Sequence, residues 1–136
     1  MNYIPRGIRN NNPGNIRWGS EWQGIIPSSQ RTDNVFCQFI SPQHGIRAMI
    51  IILRNYQIKH ALKNLSSIIN RWAPSSENNT RSYIDHVVKF MGIGELDEID
   101  LNIESVMKKL LEAIIYHENG CQPYEDCVFN KAFDII

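Results

Sequence analysis

Apolar residues recur at helical spacing through most of the chain after position 41, whereas the first forty positions mix short extended pieces with Gly, Asn, Pro and Ser. Over residues 42–58, Ile46, Met49, Ile50, Leu53 and Tyr56 share one face and Ile51 and Ile52 widen it, which predicts a central, buried helix. Ser41-Pro42 supplies its N-cap and a proline at the first helical position. A second helix is predicted over Leu65–Trp72, capped by Asn64 and ended at Ala73-Pro74. After a loop at 75–79, a third spans Thr80–Met91 and stops at Gly92 and Gly94. The fourth covers residues 103–118, with Asn102 as its cap and Gly120 just beyond its end. The tail, 127–136, adds one short helical turn. In the first forty residues, pieces 15–18 and 22–26 around a turn at 19–21 read as a hairpin, and 35–40 lies beside it as a third extended piece. The expected fold is mainly α (α+β), a single domain over 1–136 with a small N-terminal β-hairpin or sheet.

Composition narrows the class. The chain has 136 residues, 43% of them hydrophobic, and zero formal net charge. That length buries a core without staples. The zero conceals a split: residues 1–94 carry eleven Lys/Arg against four Asp/Glu, and residues 95–136 carry three against ten. Without a domain-wide positive excess, a nucleic-acid binder is not expected, nor is a polybasic membrane anchor. The longest apolar run, 48–53, is six residues, far short of the ~20 needed to span a bilayer. Charges and a proline in the first ten positions argue against a signal peptide. The expected route is therefore synthesis in the cytoplasm and delivery by other machinery. Cys37, Cys121 and Cys127 make an odd count, read as buried free thiols, with a local bridge between Cys121 and Cys127 as the alternative.

Candidate chemistry concentrates at the end of the fourth helix. Ile103, Met107, Leu110, Ile114 and Glu118 follow at spacings of three or four, so the Glu118 carboxylate prolongs the apolar stripe at the negative end of the helix dipole. Both surroundings favour the protonated form that a general acid requires. The bland alternative is a surface glutamate at a frayed helix end. His44, His60, His86 and His117 have no paired metal-ligand spacing and read as surface or capping residues, so neither a metal nor another cofactor is expected. Trp18, Trp22, Trp72, Tyr83 and Tyr124 stand near loop boundaries among Asn10, Asn11, Asn12, Asn15, Asn78 and Asn79. Flat aromatic faces beside amides suit sugar rings, while core plugs and turn formers are the plainer reading.

The segment Ala113-Ile114-Ile115-Tyr116-His117-Glu118-Asn119-Gly120-Cys121-Gln122-Pro123-Tyr124 is similar to the surroundings of the catalytic glutamate in soluble lytic transglycosylases and goose-type lysozymes. There an apolar helix ends in Glu-Ser-Gly or a close variant before a proline; here Asn119 replaces the usual Ser. The other family parts occur in rotated order: the hairpin-like region, then Gly45-Ile46-Arg47-Ala48, then Thr80-Arg81-Ser82-Tyr83-Ile84-Asp85-His86-Val87, with the glutamate helix last. This resembles a circularly permuted lysozyme-like domain. Separately, the stretch from Arg6 through Asn10-Asn11-Asn12-Pro13-Gly14-Asn15-Ile16-Arg17, together with Trp72-Ala73-Pro74, Glu77-Asn78, Thr80 and Tyr83, resembles small phage and prophage proteins assigned to virion-associated or cell-wall-degrading functions.

The resemblance implies cleavage of the β-1,4 bond between N-acetylmuramic acid and N-acetylglucosamine in peptidoglycan glycan strands, with Glu118 as general acid and base. Transglycosylase chemistry is expected ahead of hydrolysis, which would need a second polar group, for which Glu21, Asp33 and Thr80 are candidates. Asp33 and Glu77 also read as turn-forming residues. Asn15, Trp18, Asn78, Thr80, Tyr83 and Tyr124 are the expected substrate-binding residues, and Tyr83 is placed to hydrogen-bond Glu118. The alternative is a non-catalytic virion or cell-wall-binding protein that keeps the fold. A monomer suffices for either. The positive first part of the chain is expected to form the cleft walls and the acidic remainder to hold the glutamate helix.

Overall fold

In the computed structural model, which describes residues 3–136, the elements in chain order are α1 (Arg6–Arg9), a 3-10 turn (Ser28–Gln30), α2 (Pro42–His60), α3 (Leu65–Trp72), α4 (Thr80–Met91), α5 (Glu104–Asn119) and α6 (Asp126–Asp134). The molecule is mainly helical. No helix among the described residues is long and apolar enough to cross a membrane.

Local chemistry sets the helix ends. Ser41 Oγ accepts from the His44 N–H at 3.3 Å, Asn64 Oδ1 from Ser67 at 2.9 Å and Asn79 Oδ1 from Ser82 at 3.1 Å, so each carboxamide or hydroxyl satisfies a first-turn donor. Gly92 closes α4 at φ 71°, a left-handed conformation suited to a residue without Cβ. Two expectations need correction. Helix α5 starts one residue later than its apolar spacing suggests, and the Ile103 carbonyl accepts from Val106 and Met107 at 3.0 Å each. Ile103 therefore stands outside the buried stripe, 50% exposed. The tail forms nine-residue α6 rather than one turn, because Phe129 and Ala132 are buried and anchor it.

The N-terminal hairpin does not form. In its place are two isolated antiparallel bridges, Arg17 with Phe36 and Ile25 with Phe39. Segment 35–40 is thus the partner of both pieces that were expected to pair with each other. Side chains take over what a ladder would have done. Asn12 Nδ2 donates to the carbonyls of Ile16 and Cys37, each at 2.9 Å, while its Oδ1 accepts from the Ile16 N–H at 3.0 Å. Asn11 Nδ2 donates to the Phe39 carbonyl at 3.1 Å. Backbone groups satisfied by carboxamides have no need of a neighbouring strand.

The chain divides into two compact units, Met1–Ile51 with Glu118–Ile136, and Ile52–His117. In the first, Cys37, Phe39 and Ala48 form a buried cluster on which Ile16, Trp18, Trp22 and Ile25 pack. Ile46, Met49 and Ile50 of α2 are fully buried. Gly45 is required by close approach: a Cβ there would run into the backbone carbonyl of Asn11. Arg47 Nε donates to the Ile135 carbonyl at 2.9 Å, tying the end of α6 to α2. The three cysteines are free thiols, but only Cys37 is buried, and Cys127 is exposed, contrary to the expected burial of all three. Burial pushes the Cys37 thiol up to about 11, against the opposing effect of Arg31.

In the second unit, Leu53, Leu65, Ile68, Ile69, Val87, Leu101, Met107, Leu110, Leu111 and Ile114 are fully buried. On α2, Ile52 and Tyr56 of the expected apolar stripe are half-buried, and Ile58, outside that stripe, is 71% exposed. Gln57 on α2 organises the approach to α5. Its Nε2 donates to the carbonyls of Leu62 and Ile99, at 3.1 and 3.0 Å, and its Oε1 accepts from the Leu101 N–H at 2.9 Å.

Candidate active site

Glu118 is half-buried near the C-terminal end of α5. Its Oε1 accepts from Asn15 Nδ2 at 3.0 Å, a bond between residues 103 apart in the chain. The following residue, Asn119, donates through Nδ2 to the Pro13 carbonyl at 2.9 Å. Consecutive side chains on α5 thus grip consecutive parts of the loop Asn12-Pro13-Gly14-Asn15.

That loop is built for the purpose by its asparagines. Asn11 and Asn15 have φ of 53° and 51°, a left-handed conformation that asparagine tolerates better than most residues. The turn closes through Asn12 N–H to Gly7 O at 2.8 Å and Asn15 N–H to Asn12 O at 3.0 Å. Gly7 must lack a side chain, since a Cβ would lie 2.6 Å from Asn119 Oδ1 and 3.0 Å from Asn15 Oδ1. Asn15 Oδ1 is itself buried and without a hydrogen-bond partner. Asn15 therefore acts on Glu118 rather than lying open as a surface amide.

Asp33 occupies a different role. It is 8% exposed and its two oxygens accept from Arg6 Nε and Nη2 at 2.7 Å each, and from Asn10 Nδ2, Val35 N–H and Phe36 N–H at 2.9 Å each. The Arg6 guanidinium holds this carboxyl well below the usual carboxylate range, helped by the two backbone donors and Asn10 against the cost of burial. With its lone pairs so engaged, Asp33 organises the turn, the plainer of its two expected roles.

Trp18 donates its indole N–H to the Asp33 carbonyl at 2.7 Å, and the Arg31 guanidinium lies over its ring, 4.3 Å from the centroid. A face so covered is not an open platform for a sugar. Trp18 instead lines a groove of about 480 Å³ with Gly19, Ser20, Glu21, Ile25, Ile26, Pro27, Ser28 and Arg31. Tyr124 is half-buried, edge-on to Phe129 with centroids 6.4 Å apart. Its buried hydroxyl makes no hydrogen bond, and burial, then Cys121, pushes its pKa up to about 12.

The other expected site residues belong to the second unit. Asn78 is exposed in the loop before α4. Thr80 is buried, and its hydroxyl donates to the Ala73 carbonyl at 2.5 Å, pinning the Trp72-Ala73-Pro74 corner to the start of α4. Tyr83 is 1% exposed and stacks on His117 with ring centroids 3.8 Å apart. His117 in turn shares a 2.8 Å hydrogen bond between its Nδ1 and that of His86. Burial and the neighbouring His86 lower the His117 pKa. These two histidines are therefore a coupled pair between α4 and α5, not surface or capping residues.

Sequence reasoning missed Arg6, Arg31 and Asn119 as architectural groups. Four arginines, Arg6, Arg9, Arg17 and Arg31, in a Gly/Asn-rich stretch with two acids, Glu21 and Asp33, were the available signal for Arg6 and Arg31. The Ser-to-Asn change in the Glu-Asn-Gly motif was the signal for Asn119.

No protein-family model matches the chain. It is 38% identical over 138 residues to the curated Protein P5 of Pseudoalteromonas phage PM2, a similarity covering 98% of this chain and 83% of that protein.

Proposed function

The chain belongs to the family of Protein P5 of Pseudoalteromonas phage PM2, and from that premise we propose that it is a phage-type enzyme cleaving the β-1,4 bond between N-acetylmuramic acid and N-acetylglucosamine in peptidoglycan. The observation that carries this reading is the half-buried Glu118 carboxylate, held through Oε1 by Asn15 at the end of α5. It stands in the Glu-Asn-Gly motif that resembles the catalytic segment of lytic transglycosylases and goose-type lysozymes. On this reading the fold is a circularly permuted lysozyme-like one over the whole chain, acting as a monomer on glycan strands. Delivery to the wall is by a virion, lysis or secretion apparatus.

Protonated Glu118 gives its proton to the bridging oxygen as the bond to the muramic C1 breaks through an oxocarbenium-like transition state. The resulting carboxylate takes the proton of the muramic C6 hydroxyl while O6 bonds to C1 and closes a 1,6-anhydro ring. One carboxylate serves both steps, as donor and then as acceptor. Hydrolysis would instead recruit a second carboxylate to hold water. Of the three candidates for that group, Asp33 is engaged with Arg6, Asn10 and two backbone N–H groups and Thr80 with the Ala73 carbonyl, which leaves Glu21 alone for the role and supports the transglycosylase route.

Zymography on purified cell walls tests the assignment. Wild type clears the wall, and Glu118→Gln loses at least about a hundredfold in rate, the scale of a lost general acid. Mass spectrometry of the products finds 1,6-anhydromuramic ends; reducing ends would replace transglycosylation by hydrolysis. Wall binding without clearing by wild type would replace the enzyme by a non-catalytic wall-binding protein.

A further inference from the structure

The groove beside Trp18 has a chemistry that Glu118 does not use. Its lining combines apolar groups, Ile25, Ile26 and Pro27, with the polar Ser20, Glu21, Ser28 and Arg31. Arg31 is fixed in three ways: its plane lies over the Trp18 ring, its Nε donates to the Asp33 carbonyl at 2.9 Å, and its Nη2 donates to the Asn34 carbonyl at 2.8 Å. Both of its anchors are neutral carbonyls, no carboxylate of a described residue pairs with it, and Nη1 and the second Nη2 hydrogen remain to donate. Glu21, exposed and also in the lining, makes no ion pair with another described residue. Two opposite charges thus border one groove without neutralising each other.

A pre-oriented guanidinium recognises a carboxylate through paired N–H donors, at a smaller entropic cost than a freely moving lysine. A carboxylate such as Glu21 recognises an ammonium. Sugar rings of a glycan backbone offer neither charge and would seek the Trp18 face, which Arg31 covers. We propose that this groove binds the zwitterionic part of a short peptide, with Arg31 on a free carboxylate, Glu21 on a free ammonium, and small apolar side chains against Ile25, Ile26 and Pro27. This deepens the peptidoglycan reading and rests on it for the source of the peptide: the peptide stems, rather than the glycan, are what the groove would select.

The test uses the wild-type protein and the synthetic capped tetrapeptide N-acetyl-L-Ala-γ-D-Glu-L-Lys-D-Ala, which carries free carboxylates, has the lysine ammonium as its one free amine and cannot be turned over by glycosidic chemistry. Titration followed by amide chemical shifts is expected to perturb Ser20, Glu21, Ser28 and Arg31. Arg31→Gln weakens binding at least tenfold, and Arg31→Lys falls between. Glu21→Gln, at an exposed position, weakens binding of the free peptide severalfold. It has no effect on binding of the Nε-acetyl-lysine peptide, which has lost the ammonium in question. The proposal is overturned if the peptide perturbs other residues only, if neither Glu21→Gln nor Arg31→Lys alters its affinity, or if a peptide-free disaccharide fills the groove in its place. Because binding is read without turnover, a protein that fails to clear walls yet binds the peptide sinks only the enzymatic reading. One that clears walls while its groove ignores the peptide sinks only this proposal.

Discussion

At the scale of single residues, the link that bears most on the proposed function runs from Asn15 to Glu118. On the proposed function, Glu118 becomes a carboxylate in the course of the reaction, where a hydrogen bond to a charged group contributes about 1.5–3 kcal/mol, so its loss is expected to cost roughly tenfold or more in rate. Asn15→Gly is the informative variant, because glycine accepts the φ of 51° while removing the amide. Wall-clearing kcat should fall about tenfold or more with KM little changed and the melting temperature nearly kept; an equal loss in both stability and rate would make Asn15 a structural tie alone. Asp33 yields a prediction about stability. Its folded pKa is depressed below the unfolded value of about 3.9, so its contribution is fully present above that value and fades as pH falls through the folded one. Asp33→Asn should cost roughly 2 kcal/mol at pH 7, a figure reduced by the partial exposure of Arg6. Urea titrations should find the gap between wild type and Asp33→Asn constant from about pH 8 to 5 and narrowing below about pH 4. Glu118 could be picked from position and motif. Asn15 could be noticed but not matched to it, because nothing local relates residues 103 apart.

At the scale of elements, the helices follow from information within a few residues of each end. Helices α3 and α4 span Leu65–Trp72 and Thr80–Met91 as their apolar spacing and flanking residues indicate. Removing a cap tests that account: Asn64→Ala should lose the 2.9 Å bond from Ser67 and about 1 kcal/mol in urea unfolding. Close packing between elements is a different matter. Gly45→Ala places a methyl group against the Asn11 carbonyl, and backbone displaces less readily than a side-chain end. A loss of about 1–3 kcal/mol is expected, larger than for Asn64→Ala; a neutral outcome would mean that the loop at Asn11 yields freely. The missing hairpin belongs here too. Pieces 15–18 and 22–26 meet 35–40 only through single bridges, with a turn at residues 23–24 and Asn15 at φ 51°, and which segment pairs with which was decided by Asn11 and Asn12 reaching the backbone of 35–40 from outside the local pattern.

At the scale of the whole molecule, folding rearranges the charge. The sequence is positive to residue 94 and negative after it, yet the first unit holds six Lys/Arg with six Asp/Glu and the second holds eight with eight. The acidic C-terminal part is divided between the units, so each is neutral and the expected pairing of a positive cleft with an acidic helix does not follow from the chain order. Affinity for an anionic wall polymer should accordingly change by less than about tenfold between roughly 50 and 200 mM salt; a steep loss measured in a pelleting assay would show a concentrated positive face instead. By itself the sequence determined the helical class, most helix limits and caps, and the singular position of Glu118. Those depend on hydrogen bonds and side-chain spacings within about four residues, which a linear pattern records. Only the tertiary structure decided that Asn15 and Asn119 bind the glutamate helix to the N-terminal loop, that Asp33 is spent on Arg6, that Arg31 roofs Trp18, and that charge balances in each unit. These are contacts between distant segments, set by which side chains satisfy buried backbone and charge once the chain has closed on itself.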